Sequence, residues 1–158
     1  MKSILFILLM TFLSVSINAE KAIESFVIGE SSGVGYYQTI INNQYGIGLS
    51  GTFYSIDSSS DSNVTNLGLW VEARKPIQEG LLFNYGFTLG TSLGTASGSK
   101  ISDSVSIGAF FGFEKRIGSF SVESFTSILE YSTLALDGDT HTVFSVFSSG
   151  LGIKYYFR

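Results

Sequence analysis

The sequence predicts an all-β fold, an antiparallel up-and-down transmembrane β-barrel of eight strands. Three observations carry this: alternation of large apolar with small or polar residues from Gln44 to the C-terminus, a rhythm of short and long connections, and a basic-then-apolar first segment. At 158 residues the chain is one domain. Only 14% of its residues are charged and 15% are aromatic, a composition opposite to that of a disordered chain. A net charge of −4 argues against a nucleic-acid partner, which needs clustered Lys and Arg. With no Cys, disulfide frameworks, thiolate metal sites and cysteine nucleophiles are excluded.

Residues 1–19 read as a secretory signal peptide. Lys2 precedes the apolar run Ile4 to Leu13, and Ile17-Asn18-Ala19 is an imperfect small-x-small cleavage site. The run is too short to span a bilayer, and no later stretch is apolar enough to cross as a helix. Cleavage after Ala19 leaves residues 20–158 as the barrel domain, with a charge of about −5.

Region 22–41 holds two short strands, 22–29 and 34–41, joined at Glu30-Ser31-Ser32-Gly33. A single long strand would give seven in all and put the termini on opposite sides of a membrane; eight is the reading adopted. From there the alternation is plain. Strands are predicted near 44–56, 63–75, 80–93, 104–115, 119–132 and 142–157, with large apolar residues mostly at odd positions. Trp70 is an exception on the small-residue face. Short connections fall at Asn42-Asn43, Lys75 to Glu79 around Pro76, and Arg116 to Ser119. Longer polar ones fall at 57–63, 95–103 and 133–140.

A soluble sandwich and a membrane barrel both carry such a pattern. A solvated face should be rich in Lys and Glu. Here the smaller face is mostly Gly, Ser, Thr and Asn, and it also carries Glu72, Arg74, Glu114, Glu130 and Lys154, all at even positions. The large-residue face of the four clearest segments carries no charge. That suits lipid outside and a small, polar, partly charged interior. Glu123 breaks the parity, which points to a bulge or shifted register within 119–132.

Gly152-Ile153-Lys154-Tyr155-Tyr156-Phe157 resembles the closing-strand signal of bacterial outer-membrane β-barrels: a glycine, alternate large apolar residues and an aromatic end. Together with the leader and the loop rhythm, the chain resembles the small outer-membrane barrels of Gram-negative bacteria, among them the membrane domain of outer-membrane protein A and the opacity proteins. Arg158 follows the aromatic that normally ends such chains, and Gly150 stands where a polar residue is usual. The resemblance implies a cell outer-membrane location, surrounded by outer-membrane lipid and lipopolysaccharide. It also implies recognition of Gly152, Tyr155 and Phe157 by the barrel-assembly machinery, and a monomer.

Four candidate sites follow. Glu72, Arg74, Glu114, Glu130 and Lys154 project to one interior, where an ion-pair network is expected in a barrel this narrow. The functional alternative is a narrow gated pore for ions or small apolar molecules, with inward glycines leaving room for water. Tyr45, Phe53, Phe113, Tyr131, Tyr155 and Phe157 near strand ends suit interfacial girdles. All five aspartates, Asp57, Asp61, Asp103, Asp137 and Asp139, fall in the predicted long loops. Asp137 and Asp139 are the densest surface candidates for a divalent cation, short of the ligands a dedicated site needs; no metal or other cofactor is expected. His141 is the only histidine. A lipid-modifying hydrolase would need it beside a serine, and Ser145 is too far along the strand for direct contact. No catalytic residue is therefore assigned, and the role expected is structural or surface-interactive.

Overall fold

In the computed structural model, the alternating segments form eight strands: β1 (Lys21–Ile28), β2 (Ser31–Ile40), β3 (Tyr45–Ile56), β4 (Ser62–Gln78), β5 (Leu81–Ala96), β6 (Ser99–Ile117), β7 (Phe120–Leu136) and β8 (Asp139–Phe157). The structure describes residues 19–28, 31–40, 44–56, 62–96, 99–137 and 139–157. Residues 1–18 of the predicted leader, Asp57, Asp61 and Arg158 lie outside this set. Each strand pairs antiparallel with its sequence neighbours, and β8 closes the ring on β1 from Lys21↔Phe157 to Ile28↔Gly150. Closure leaves every strand paired on both sides through the membrane-crossing part, as the absence of water there demands.

The side chains sort by face. Ile23, Val27, Val71, Phe87, Leu89, Ile107, Val122, Leu151 and Ile153 point outward and are exposed, Phe87 and Leu151 each to 63%. Side chains this oily form a continuous outer belt, the arrangement that contact with hydrocarbon stabilises. Aromatics gather at the short-turn end of the belt: Phe83 with Phe113 at 5.3 Å, and Phe120 with Tyr155 at 5.0 Å between ring centroids. Tyr131 and Phe144, also 5.0 Å apart, stand toward the other end. Tyr45 is exposed at the short-turn rim, Phe157 is opposite Lys21, and the Phe53 side chain lies outside the described set.

Four predicted boundaries need correction. β2 begins at Ser31, so Ser31, Ser32 and Gly33, expected in the first connection, are strand residues paired with β1. β4 runs through Pro76 to Gln78 instead of turning at Lys75. Like Arg74, whose N–H points to the β3 side, Pro76 turns its N atom to that side, beyond the end of β3, so its missing N–H costs the β5 ladder nothing. The register slips only after it, between Pro76 and Gln78. The turn is then Glu79-Gly80, with Gly80 in the left-handed region (φ 67). The long polar connections at 95–103 and 133–140 are mostly strand: β5 and β6 are separated by residues 97–98, and β7 and β8 by residues 137–138. Hydroxyl residues serve in these hairpins as strand residues, since beyond the hydrocarbon both faces can meet water. Asp103 and Asp139 accordingly lie within β6 and β8, not in loops.

The parity break at Glu123 has a structural cause. The β6–β7 register shifts between Ala109 and Phe110, where Ile128 is an extra residue in β7. Ile128 and Leu129 both face outward, at 41% and 48% exposure. Below the bulge odd residues of β7 face inward, Glu123 among them; above it even ones do, so Glu130 lies opposite Gly108 and Ser145.

Candidate functional site

The inward side chains nearest the short-turn end form a buried polar cluster. Glu24 comes from β1, Tyr37 from β2, Glu72 and Arg74 from β4, Asn84 from β5, Glu114 from β6, Glu123 from β7, and Lys154 and Tyr156 from β8, all buried. β3 contributes glycines instead. A Cβ on Gly46 would lie 2.2 Å from the Tyr37 hydroxyl, and one on Gly48 would lie 2.0 Å from the Trp70 indole. The space beside these glycines is therefore filled by rings, where the sequence left room for water. Tyr37 and Trp70 are stacked at 6.3 Å with planes 15° apart.

Glu114 is the hub. One oxygen accepts from Arg74 Nη2 at 3.2 Å and Asn84 Nδ2 at 3.3 Å, and also lies 3.7 Å from Lys154 Nζ. Its other oxygen accepts from the Tyr156 hydroxyl at 2.6 Å. Glu123 accepts from Lys154 Nζ and from Asn84 Nδ2 at 3.2 Å, so one amide bridges two carboxylates. Glu72 accepts from the Tyr37 hydroxyl at 2.8 Å and lies 3.8 Å from Arg74 Nε. The two cations also face the Tyr37 ring: Lys154 Nζ is 4.6 Å and the Arg74 guanidinium 5.6 Å from its centroid. Burying such charges is costly, and each ion here has an oppositely charged neighbour; Glu24 is directly opposite Lys154 in the β1–β8 register, although it makes no ion pair within 4 Å among the described residues.

Of the five residues grouped from sequence, Glu72, Arg74, Glu114 and Lys154 come together. Glu130 does not: the bulge at Ile128 carries it toward the opposite end, beside Gly108 and Ser145, with no ion pair among the described residues. Glu24 and Glu123 are cluster members that parity reasoning missed. Above the cluster, Phe26 and Phe125 meet edge to face at 6.3 Å, seated over Gly33 and Gly150, with Phe110 also buried. Rings thus lie over ions across the lumen.

Elsewhere the candidates remain separate. His141 is exposed opposite Leu134, and no hydrogen bond joins it to Ser145 among the described residues. Asp137 and Asp139 are exposed at the β7–β8 hairpin, and the described residues contain no grouping of acids suited to a metal ion. In the closing strand, Gly152 faces inward beside Glu24, and Tyr155 faces outward against Phe120.

The fold is the one seen in small eight-stranded outer-membrane β-barrels of known structure. The chain is similar in fold to Neisserial surface protein A (NspA), with a TM-score of 0.61 and 16% identity over 88% of this chain and 94% of that one. It is also similar to outer membrane protein H (OprH) from P. aeruginosa, with a TM-score of 0.57 and 16% identity over 88% of this chain and 99% of that one. No protein-family model and no curated protein matches the sequence.

Proposed function

We propose that the protein is an integral barrel of the cell outer membrane with a structural or surface-interaction role in the envelope, and without a catalytic site. The observation that carries this reading is the combination of an apolar outer belt with a lumen crossed by paired ions and packed rings. A plugged cylinder of this kind adds stiffness and presents hairpins; it does not offer a wide passage. Outer-membrane lipid and lipopolysaccharide would surround the belt, and the barrel-assembly machinery would engage the closing strand through Gly152, Tyr155 and Phe157. The protein is proposed to work as a monomer.

Envelope fractionation with gel mobility of boiled and unboiled samples tests the reading. The expected result is recovery in the outer-membrane fraction and a mobility change on heating. Release by osmotic shock as a soluble protein would overturn it. In a planar bilayer the purified barrel is expected to give no discrete conductance steps; regular steps would replace the plug with a pore. His141→Ala is expected to leave lipid A chemistry unchanged.

A further inference from the structure

Outside the buried cluster, the short-turn mouth is crossed by a separate ion pair. Arg116, near the end of β6, donates through Nη1 to Glu20 Oε2 at 2.7 Å. Glu20 precedes β1 and is held by its backbone as well. Its N–H donates to Thr39 Oγ1 at 2.9 Å, and its carbonyl accepts from the Thr39 N–H at 2.8 Å. Thr39 is fully buried, so this anchor on β2 is firm.

The other side of Arg116 faces inward. Its guanidinium lies 4.3 Å from the Tyr156 ring centroid, and the Tyr156 hydroxyl donates to Glu114, the hub of the cluster. A line of contacts thus runs Glu20, Arg116, Tyr156, Glu114, Arg74, from the segment before β1 to the centre of the lumen. Two cavities open at this mouth. One of about 650 Å³ reaches Arg74 and Tyr85; the other, of about 480 Å³, reaches Ser119 and Tyr155. Glu20 and Arg116 are the two residues that line both, so their ion pair is the partition between the cavities.

We infer that the Glu20–Arg116 pair is a latch across the short-turn mouth, and that its opening joins the two cavities and widens the approach of water-borne solutes to the ion cluster, which the separate cavities touch only at Arg74 and Tyr156. The pair is suited to this. It is partly exposed, with side-chain accessibilities of 20% for Glu20 and 29% for Arg116, so water competes with it. It also joins residues 96 positions apart, so the latch ties the N-terminal segment to the far wall.

The chain has no cysteine, which permits a single thiol reporter. Ser121 is buried on β7, directly opposite Arg116 on one side and Lys154 on the other, immediately behind the latch. Ser121→Cys is made in the full barrel folded in lipid vesicles, and its labelling by a water-soluble maleimide is timed. Thr88→Cys, inward on β5 and away from the mouth, reports general loosening. Glu20→Gln and Arg116→Gln should each speed labelling at position 121 about fivefold, the scale of a partly exposed ion pair, and leave position 88 unchanged. The double variant should label no faster than either single one, because both remove the same contact. Three results would overturn the latch: unchanged labelling in Glu20→Gln, equal acceleration at both reporters, or multiplied effects in the double variant.

Discussion

Gly48 of β3 and Trp70 of β4 are directly opposite in the strand register, and the indole occupies the volume a Gly48 side chain would need. The single inward tryptophan and the run of inward glycines on β3 are thus one feature, a large ring fitted to a bare backbone. Gly48→Ala should destabilise the barrel by about 1–3 kcal/mol through overpacking. In a Trp70→Ala background the same change should cost little, since the ring is gone. Urea unfolding in lipid vesicles measures both. An equal cost in the two backgrounds would mean that strand propensity, not the ring, keeps glycine there.

Glu114 receives two neutral donors and two cations, so its loss strands more than its own charge. Glu114→Ala should cost about 3–5 kcal/mol by leaving Arg74 and Lys154 short of their counter-ion. Tyr156→Phe removes the hydrogen bond donated to the same carboxylate and the one accepted from Arg74 Nη2 at 3.2 Å, and should cost about 1–3 kcal/mol. Thermal unfolding of the two variants checks the ranking; a larger loss from Tyr156→Phe would move the hub from the carboxylate to the ring.

The extra residue at Ile128 lets both glutamates of β7, one at an odd position and one at an even, face inward. Deleting Ile128 leaves Leu129 as the single outward residue between Ser127 and Glu130, so both glutamates stay inward and β7 pairs with β6 without a slip, while Phe147 of β8 becomes an unmatched extra residue. A loss on the order of 2 kcal/mol is expected from that mismatch, seen as a reduced heat-modifiable fraction on gels. Ile128→Ala keeps the residue count and should change stability by less than about 1 kcal/mol. Equal behaviour of the two variants would show that the side chain matters and the register does not.

The same bulge marks how far the sequence could be read. Alternation in β3 to β6 and β8 was legible because one face holds Gly, Ser, Thr or a paired ion and the other holds Leu, Phe, Val or Ile. This placed Glu72, Arg74, Glu114 and Lys154 on one side. The rule assumes constant phase, and one inserted residue reversed it within β7, which hid the direction of Glu123 relative to Glu130. Val146 and Phe147 of β8, both outward at 64% and 72% exposure, make the matching shift opposite, with Phe147 at φ 56. β1 concealed Glu24 differently. Its inward Phe26 and outward Ser25 invert the usual contrast, so the strand shows no dominant face. The Glu20–Arg116 contact depends on residues 96 apart, and no local pattern encodes it.

Leu151 puts the outward belt itself to the test. It is 63% exposed on β8, opposite Ser124 and Val27, between the ring of Tyr155 and the bulged pair at Val146 and Phe147. If water surrounded this surface, Leu151→Arg would replace an exposed apolar side chain with a soluble one and shift stability by no more than about 0.5 kcal/mol. In hydrocarbon the same change strands a guanidinium away from water and should cost about 2–4 kcal/mol near the middle of the belt. Moving the arginine to Ile117, exposed at the short-turn rim, should reduce the cost to about 0–1 kcal/mol, because the side chain can reach the interface. Urea titration of the three proteins in vesicles reads this depth dependence. A flat response at both positions would remove the bilayer from the account of why these strands alternate.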